Sequence, residues 1–127
     1  GVNVTISSQD FGTYLDQRED ADIYRAGWCF DYFDTNNFLY DTFHSSVSPD
    51  NGFNSPEFDA LVEQAAIEAD TAKRVELYAQ AEQLLIRDQA SIAPIYYYVT
   101  NDITAAGIER TYSKITREFY EKWDVTR

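Results

Sequence analysis

The sequence predicts an α/β chain in which helices cover a sheet. Three observations predict it. Residues 2–28 open as strand, helix, strand; residues 55–88 hold two amphipathic helices in succession; and Ile92–Val99 is an aliphatic and aromatic run that reads as a further strand.

Val2, Val4 and Ile6 alternate with Asn3, Thr5 and Ser7, the period of a half-buried strand. A short helix is expected from about Gln9 to Arg18, with Phe11, Tyr14 and Leu15 on one face and Glu19-Asp20 ending it. Asp22 to Trp28 reads as a second strand, and a strand, helix, strand unit in one sheet implies a right-handed parallel crossover. Between Phe33 and Phe43 the pattern fits another short helix, with Phe38, Leu39 and Thr42 sharing a face, and 44–54 is rich in loop residues. Ser55-Pro56-Glu57 is a helix start, with Ser as N-cap, Pro at the first helical position and Glu57 and Asp59 near the positive end of the macrodipole. That helix carries Phe58, Leu61, Val62, Ala65 and Ala69 on one stripe. Asp70 or Thr71 caps the next helix, which runs to about Asp88 with Leu77, Tyr78, Ala81, Leu84 and Leu85 as its apolar face. The pair forms an αα-hairpin whose expected task is to cover the sheet. Pro94 confines the Ile92–Val99 strand to a strand start or a sheet edge, because it cannot donate to the ladder. Residues 103–127 give short strands at best, with Phe119, Trp123 and Val125 in need of burial.

With 127 residues the chain is the size of a single domain, and a core can form without disulfides. No apolar run approaches the roughly 18 residues of a membrane-spanning helix. Twenty-two acids against ten Lys and Arg leave a formal charge of -12, which repels phosphate backbones and anionic headgroups, so nucleic acid is not expected as a partner. Ten Tyr, eight Phe and two Trp fit either an aromatic core or a broad contact surface. The single cysteine, Cys29, has no internal partner, and is a buried small hydrophobe, a reactive thiol or half of an external bridge. The chain begins at Gly1 inside its first predicted strand, as an excised or processed piece would, with any signal sequence upstream.

The stretch Ala26-Gly27-Trp28-Cys29-Phe30-Asp31-Tyr32 sets one acid among apolar and aromatic neighbours at the end of a predicted strand. In open α/β sheets, ligand crevices form outside the carboxyl ends of strands. A carboxylate walled by Trp28 and Tyr32 and partly desolvated tends to neutralise when alone, whereas a cation holds it ionised; a ligand ammonium is one candidate occupant. The competing structural role is a cap for the helix near Asp34, or a pair with Arg25 or another basic residue. Other chemistries find less support. A Cys29–His44 nucleophile and base lacks any surrounding motif, and His44 reads as a solvated loop residue. Asp31, Asp34, Asp41, Asn36 and Asn37 do not follow the EF-hand spacing for a hard cation. A carboxylate hydrolase using Asp31 and Asp34 is the alternative from another class. An interaction module presenting exposed aromatics to a protein is a third. No P-loop or dinucleotide-binding glycine motif is present, and no cofactor or metal is called for.

Four motifs in order change the weighting: Arg25-Ala-Gly-Trp-Cys-Phe-Asp-Tyr32, Ser55-Pro-Glu-Phe-Asp59, Arg74-Val-Glu-Leu-Tyr-Ala-Gln-Ala-Glu82 and Ala93-Pro-Ile-Tyr-Tyr-Tyr98. Together they resemble the C-terminal portion of oligopeptide-binding proteins, the extracytoplasmic receptors of ABC-type peptide importers in solute-binding family 5. The resemblance implies a type II-like periplasmic-binding-protein fold of two lobes that close over a peptide. Residues 1–127 are then expected to be one domain, a piece of the C-terminal lobe with the αα-hairpin packed on a mixed sheet. It also implies that the protein is not an enzyme and that it binds short peptides, delivers them to membrane permease subunits, and resides in the periplasm or at the cell surface, free or held by a lipid anchor. Asp31 matches the family acid that binds the peptide α-ammonium. Ala26, Gly27, Trp28 and Cys29 match the strand offering its backbone to an extended peptide. Tyr98, with Tyr96 as fallback, matches a further contact, and Cys29 matches a cysteine bridged to an upstream partner. Dipeptide or other-solute receptors share the fold, so subtype stays open. A lone lobe with an uncovered face is expected to self-associate.

Overall fold

In a computed structural model of the chain, residues 1–99, 101–111 and 123–125 are described. The chain divides into two compact units, 1–93 and 94–127.

The first unit is helical. Helix α1 spans Phe11–Gln17 and is capped by Asp10, whose carboxylate accepts from the Thr13 N–H and Oγ1. These bonds hold the exposed Asp10 carboxyl below its ordinary range. The expected face of α1 is not buried: Phe11 is 72% exposed and Leu15 also faces out. Helix α2 spans Thr35–Phe43, with Asp34 as N-cap accepting the Asn36 N–H. Its inward face is Leu39, Tyr40 and Phe43 rather than Phe38 and Thr42; Phe38 turns outward to meet Phe30.

Helix α3, Pro56–Ile67, begins at the predicted Ser-Pro-Glu start: Ser55 Oγ accepts the Phe58 N–H and Pro56 occupies the first turn. Helix α4, Thr71–Gln83, is capped by Asp70 and continues as a π-helical turn through Leu84–Asp88. Glu68, Ala69 and Asp70 join the two, and α3 packs on α4 more extensively than any other pair of elements. Ala69 falls in this joint and is exposed. The core is Leu39, Phe53, Phe58, Val62, Ala65, Tyr78, Ala81, Leu84 and Leu85, with Leu61, Leu77 and Ile92 against it. Phe53 and Phe58 meet edge to face at 5.1 Å between centroids. The loop after α2 turns at Gly52, whose φ of 75° suits a residue without a Cβ.

His44 is a correction. It is buried rather than solvated, because its ring stacks on Tyr40 and both nitrogens are engaged, Nε2 with Glu63 Oε1 at 3.1 Å and Nδ1 with the Ser46 N–H and Oγ. Since Nδ1 accepts the Ser46 amide, Nε2 carries the proton toward Glu63. The side chain ties the loop to α3, and neither nitrogen contacts Cys29.

The expected strands at 2–7, 22–28 and 92–99 take part in no ladder among the described residues. Val2, Val4, Ile6 and Ile23 are almost wholly exposed. A strand's hydrogen bonds lie in its neighbour, and the described chain places no neighbour beside these segments. The one ladder described lies in the second unit, where β1, Ile108–Glu109, pairs antiparallel with β2, Asp124–Val125. There Arg110 reaches Asp102 at 3.2 Å and stacks over Trp123 at 4.9 Å. Phe119 lies outside the described residues.

Candidate functional site

Residues 26–41 form one hydrogen-bonded group around Asn37, a buried residue in the first turn of α2. The Asn37 Oδ1 accepts from Trp28 Nε1 (3.0 Å) and from the Asp31 backbone N–H (2.9 Å). Its Nδ2 donates to Asp41 Oδ2 (2.9 Å) and, at the long limit of 3.5 Å, to Asp31 Oδ2. Tyr32 donates to the same Asp41 oxygen (2.7 Å) and accepts from Asn36 Nδ2 (2.8 Å). The Asn36 bond, the largest single influence, pulls the Tyr32 hydroxyl toward ionisation, but donation to the Asp41 carboxylate, burial and the negative charges of Asp41 and Asp34 together outweigh it and hold the phenol above its ordinary range.

Asp31 is not the helix cap. That is Asp34, which also takes the Arg74 guanidinium in a two-point pair, Nη2 to Oδ1 at 2.8 Å and Nη1 to Oδ2 at 3.1 Å. The Arg74 bonds hold the Asp34 carboxyl below the ordinary carboxylate range. With both oxygens so engaged, Asp34 has a structural task and is a poor partner for Asp31 in acid and base work. Among the described residues no cation is paired with Asp31.

Asp31 is exposed, contrary to the expected desolvation. The flanking aromatics explain this, since the Trp28 indole turns to Asn37 and the Tyr32 hydroxyl to Asp41, leaving the carboxylate uncovered. Ala26, Gly27 and Cys29 are also exposed, and the Cys29 thiol is free in this chain. Among the described residues no hydrogen bond engages the backbone of residues 26–30, whereas the preceding Arg25 carbonyl accepts the Tyr14 hydroxyl. Tyr96 and Tyr98 belong to the second unit, where their rings meet edge to face at 5.1 Å, each more than half exposed. Trp28, Cys29 and Asp31 are thus brought into one stretch. Asn37, which orders it, was missed as an organiser; its amide carries no sequence signal beyond an Asn in a first helical turn.

No family model matches the chain. Curated proteins do. The chain is 44% identical over 101 residues to the periplasmic oligopeptide-binding protein OppA of Salmonella typhimurium, covering 78% of the chain and 18% of that protein. It is 33% identical over 124 residues to the oligopeptide-binding protein OppA of Bacillus subtilis, 94% of the chain and 22% of that protein. The chain belongs to solute-binding protein family 5. A third member, the periplasmic murein peptide-binding protein MppA of Escherichia coli, is 38% identical over 102 residues. The chain spans only about a fifth of the length of the OppA relatives it matches. All three relatives are named as binding proteins. Kinship with family 5 points to the type II-like fold, to which the described residues contribute a helical unit and one short ladder.

Proposed function

We propose that this chain is part of the C-terminal lobe of an extracytoplasmic peptide receptor serving an ABC importer, in which Asp31 anchors the α-ammonium of a bound peptide. The observation that carries the reading is an exposed carboxylate with no cation partner among the described residues, beside a stretch of backbone free of hydrogen bonds there. Main-chain pairing at Ala26, Gly27, Trp28 and Cys29 accounts for acceptance of many sequences, since every peptide offers the same backbone. The α-ammonium supplies the cation partner that Asp31 lacks among the described residues, and closure of a second lobe removes water from the pair. Trp28 lends an apolar wall; Tyr98, with Tyr96 as fallback, is carried over from the family resemblance as a further peptide contact. In the full-length protein residues 2–7, 22–28 and 92–99 join a mixed sheet under the αα-hairpin, and Cys29 bridges to a cysteine outside this chain, which fits an oxidising periplasmic or cell-surface location. Delivery to membrane permease subunits completes the role. Oligopeptides are favoured over dipeptides because the match to Salmonella typhimurium OppA, at 44% identity, exceeds that to the dipeptide-binding protein DppE of Bacillus subtilis, at 34%.

Calorimetry on the full-length protein tests the anchor. Asp31→Asn is expected to weaken a free tripeptide by about 1.5–3 kcal/mol, the usual worth of a hydrogen bond to a charged group, and to affect its N-acetylated form far less. Equal losses for both peptides would remove Asp31 from this role.

A further inference from the structure

Asn37 is among the most deeply buried side chains of the first unit, with 1% of its surface exposed. A buried amide is costly unless each end is bonded. Here each end has two partners on the candidate site. The oxygen takes the N–H groups of Trp28 and Asp31, and the nitrogen serves the Asp41 and Asp31 carboxylates. Its own backbone is fixed as well, because its carbonyl accepts the Thr42 hydroxyl at 3.1 Å and its N–H donates to the Asp34 carbonyl at 3.2 Å.

Only a side-chain amide can accept two N–H groups at one end and donate to two carboxylates at the other. Asp would keep the accepting oxygen but set a third carboxylate against two. Leu would fill the space and serve neither end. Gln carries an extra methylene, and the same four partners would not all stay in reach. Nor does helix formation call for Asn here, since it is a weak helix former and the cap is already supplied by Asp34. The amide therefore suits orientation of the 28–31 segment better than it suits making α2.

We propose that Asn37 is the positioning residue of the ammonium anchor, fixing the backbone and carboxylate of Asp31 against Trp28 while its amide nitrogen also bonds the neighbouring Asp41 carboxylate. The inference rests on the reading of Asp31 as the anchor. Asn37 does not touch the peptide; it sets where the carboxylate that does so stands. Its loss therefore falls mainly on the charged end of the ligand, because Asn37 bonds the Asp31 backbone and carboxylate directly and makes no bond to the backbone of residues 26–30.

The test uses the full-length protein, with trialanine and N-acetyl-trialanine titrated by calorimetry into wild type, Asp31→Asn, Asn37→Leu and the double variant. Asn37→Leu is expected to weaken trialanine about tenfold and N-acetyl-trialanine less than about twofold, the size expected when one charged hydrogen bond is misplaced. In the Asp31→Asn background the same change should add less than about twofold, because coupled residues are not additive. If Asp31→Asn is selective for the free amine while Asn37→Leu weakens both peptides alike, or neither, the positioning role is overturned and the anchor stands. If Asp31→Asn itself shows no selectivity, the anchor reading fails and the Asn37 role falls with it. Should Asn37→Leu not fold, Asn37→Ala takes its place in the same titrations: selective weakening of trialanine supports the positioning role, and equal or absent weakening overturns it.

Discussion

At Arg74 one guanidinium joins three pieces of chain: it pairs with Asp34 at the start of α2, donates through Nε to the Ala65 carbonyl of α3 at 3.1 Å, and meets the Tyr78 hydroxyl of its own helix. Tyr78 in turn donates to Asn36, so the network ends one residue from Asn37. Both members of the pair are about a third exposed, so solvent screening limits its worth. Arg74→Ala is expected to cost about 1–2 kcal/mol, between surface and buried pairs. The pH dependence has a definite sign. The Asp34 carboxyl is held below its ordinary range by the Arg74 hydrogen bonds, so its contribution is present above about pH 4 and lost as the pH falls through the folded value. Urea midpoints of wild type and variant should therefore keep their gap down to about pH 4 and draw together as the pH falls further; a constant gap would show that the pair is not what stabilises. The same residues show what was legible at this scale. Asp31 stood out because it is a lone charge among apolar neighbours. Asp34 and Asp31 could not be told apart as cap and anchor, since the choice depends on Arg74, about forty positions away.

Among the elements, the helices were readable and the strands were not confirmed as ladders, for one physical reason. Helix bonds and caps are local: Ser55, Asp70 and Asp34 each satisfy donors two or three residues ahead. The apolar face expected of the hairpin is buried at Phe58, Val62 and Ala65 of α3, Tyr78 and Ala81 of α4, and Leu84 and Leu85 of the π-helical turn that follows. Val2, Val4 and Ile6 alternate as a strand does, but pairing depends on a neighbour that their own sequence does not contain. The π-helical turn after α4 gave no warning in the sequence either. It ends at Asp88 with Gln89 as C-cap, and the next residue is Ala90, a non-glycine residue at φ 48°, while the Ser91 N–H reaches back to the Leu85 carbonyl at 3.0 Å. This is the position where helices favour glycine, because a Cβ is crowded in the left-handed region. Ala90→Gly is expected to stabilise the first unit by about 0.5–1 kcal/mol, after the entropy that glycine loses on folding is subtracted. Urea unfolding measures it, and a destabilised variant would contradict the cap assignment.

For the whole molecule the exposed apolar residues matter most. Val2, Val4, Ile6, Ile23, Ile95, Tyr97, Val99 and Ile103 are each at least three-quarters exposed, an unusual load of uncovered side chains for a chain of this size. Isolated residues 1–127 are therefore expected to self-associate as concentration rises, which sedimentation velocity would detect; a strict monomer at high concentration would count against an uncovered lobe. Peptide binding by the isolated chain should be weaker than micromolar, because Asp31 is open to water and no second lobe covers it. Whether the full-length protein is a receptor loaded with peptides is tested most directly by native mass spectrometry of that protein as purified from its own cells. The expected result is a chain several times heavier than 14.6 kDa carrying a mixture of small adducts that fragment as peptides. A bare 14.6 kDa species, or adducts that do not fragment as peptides, would contradict it.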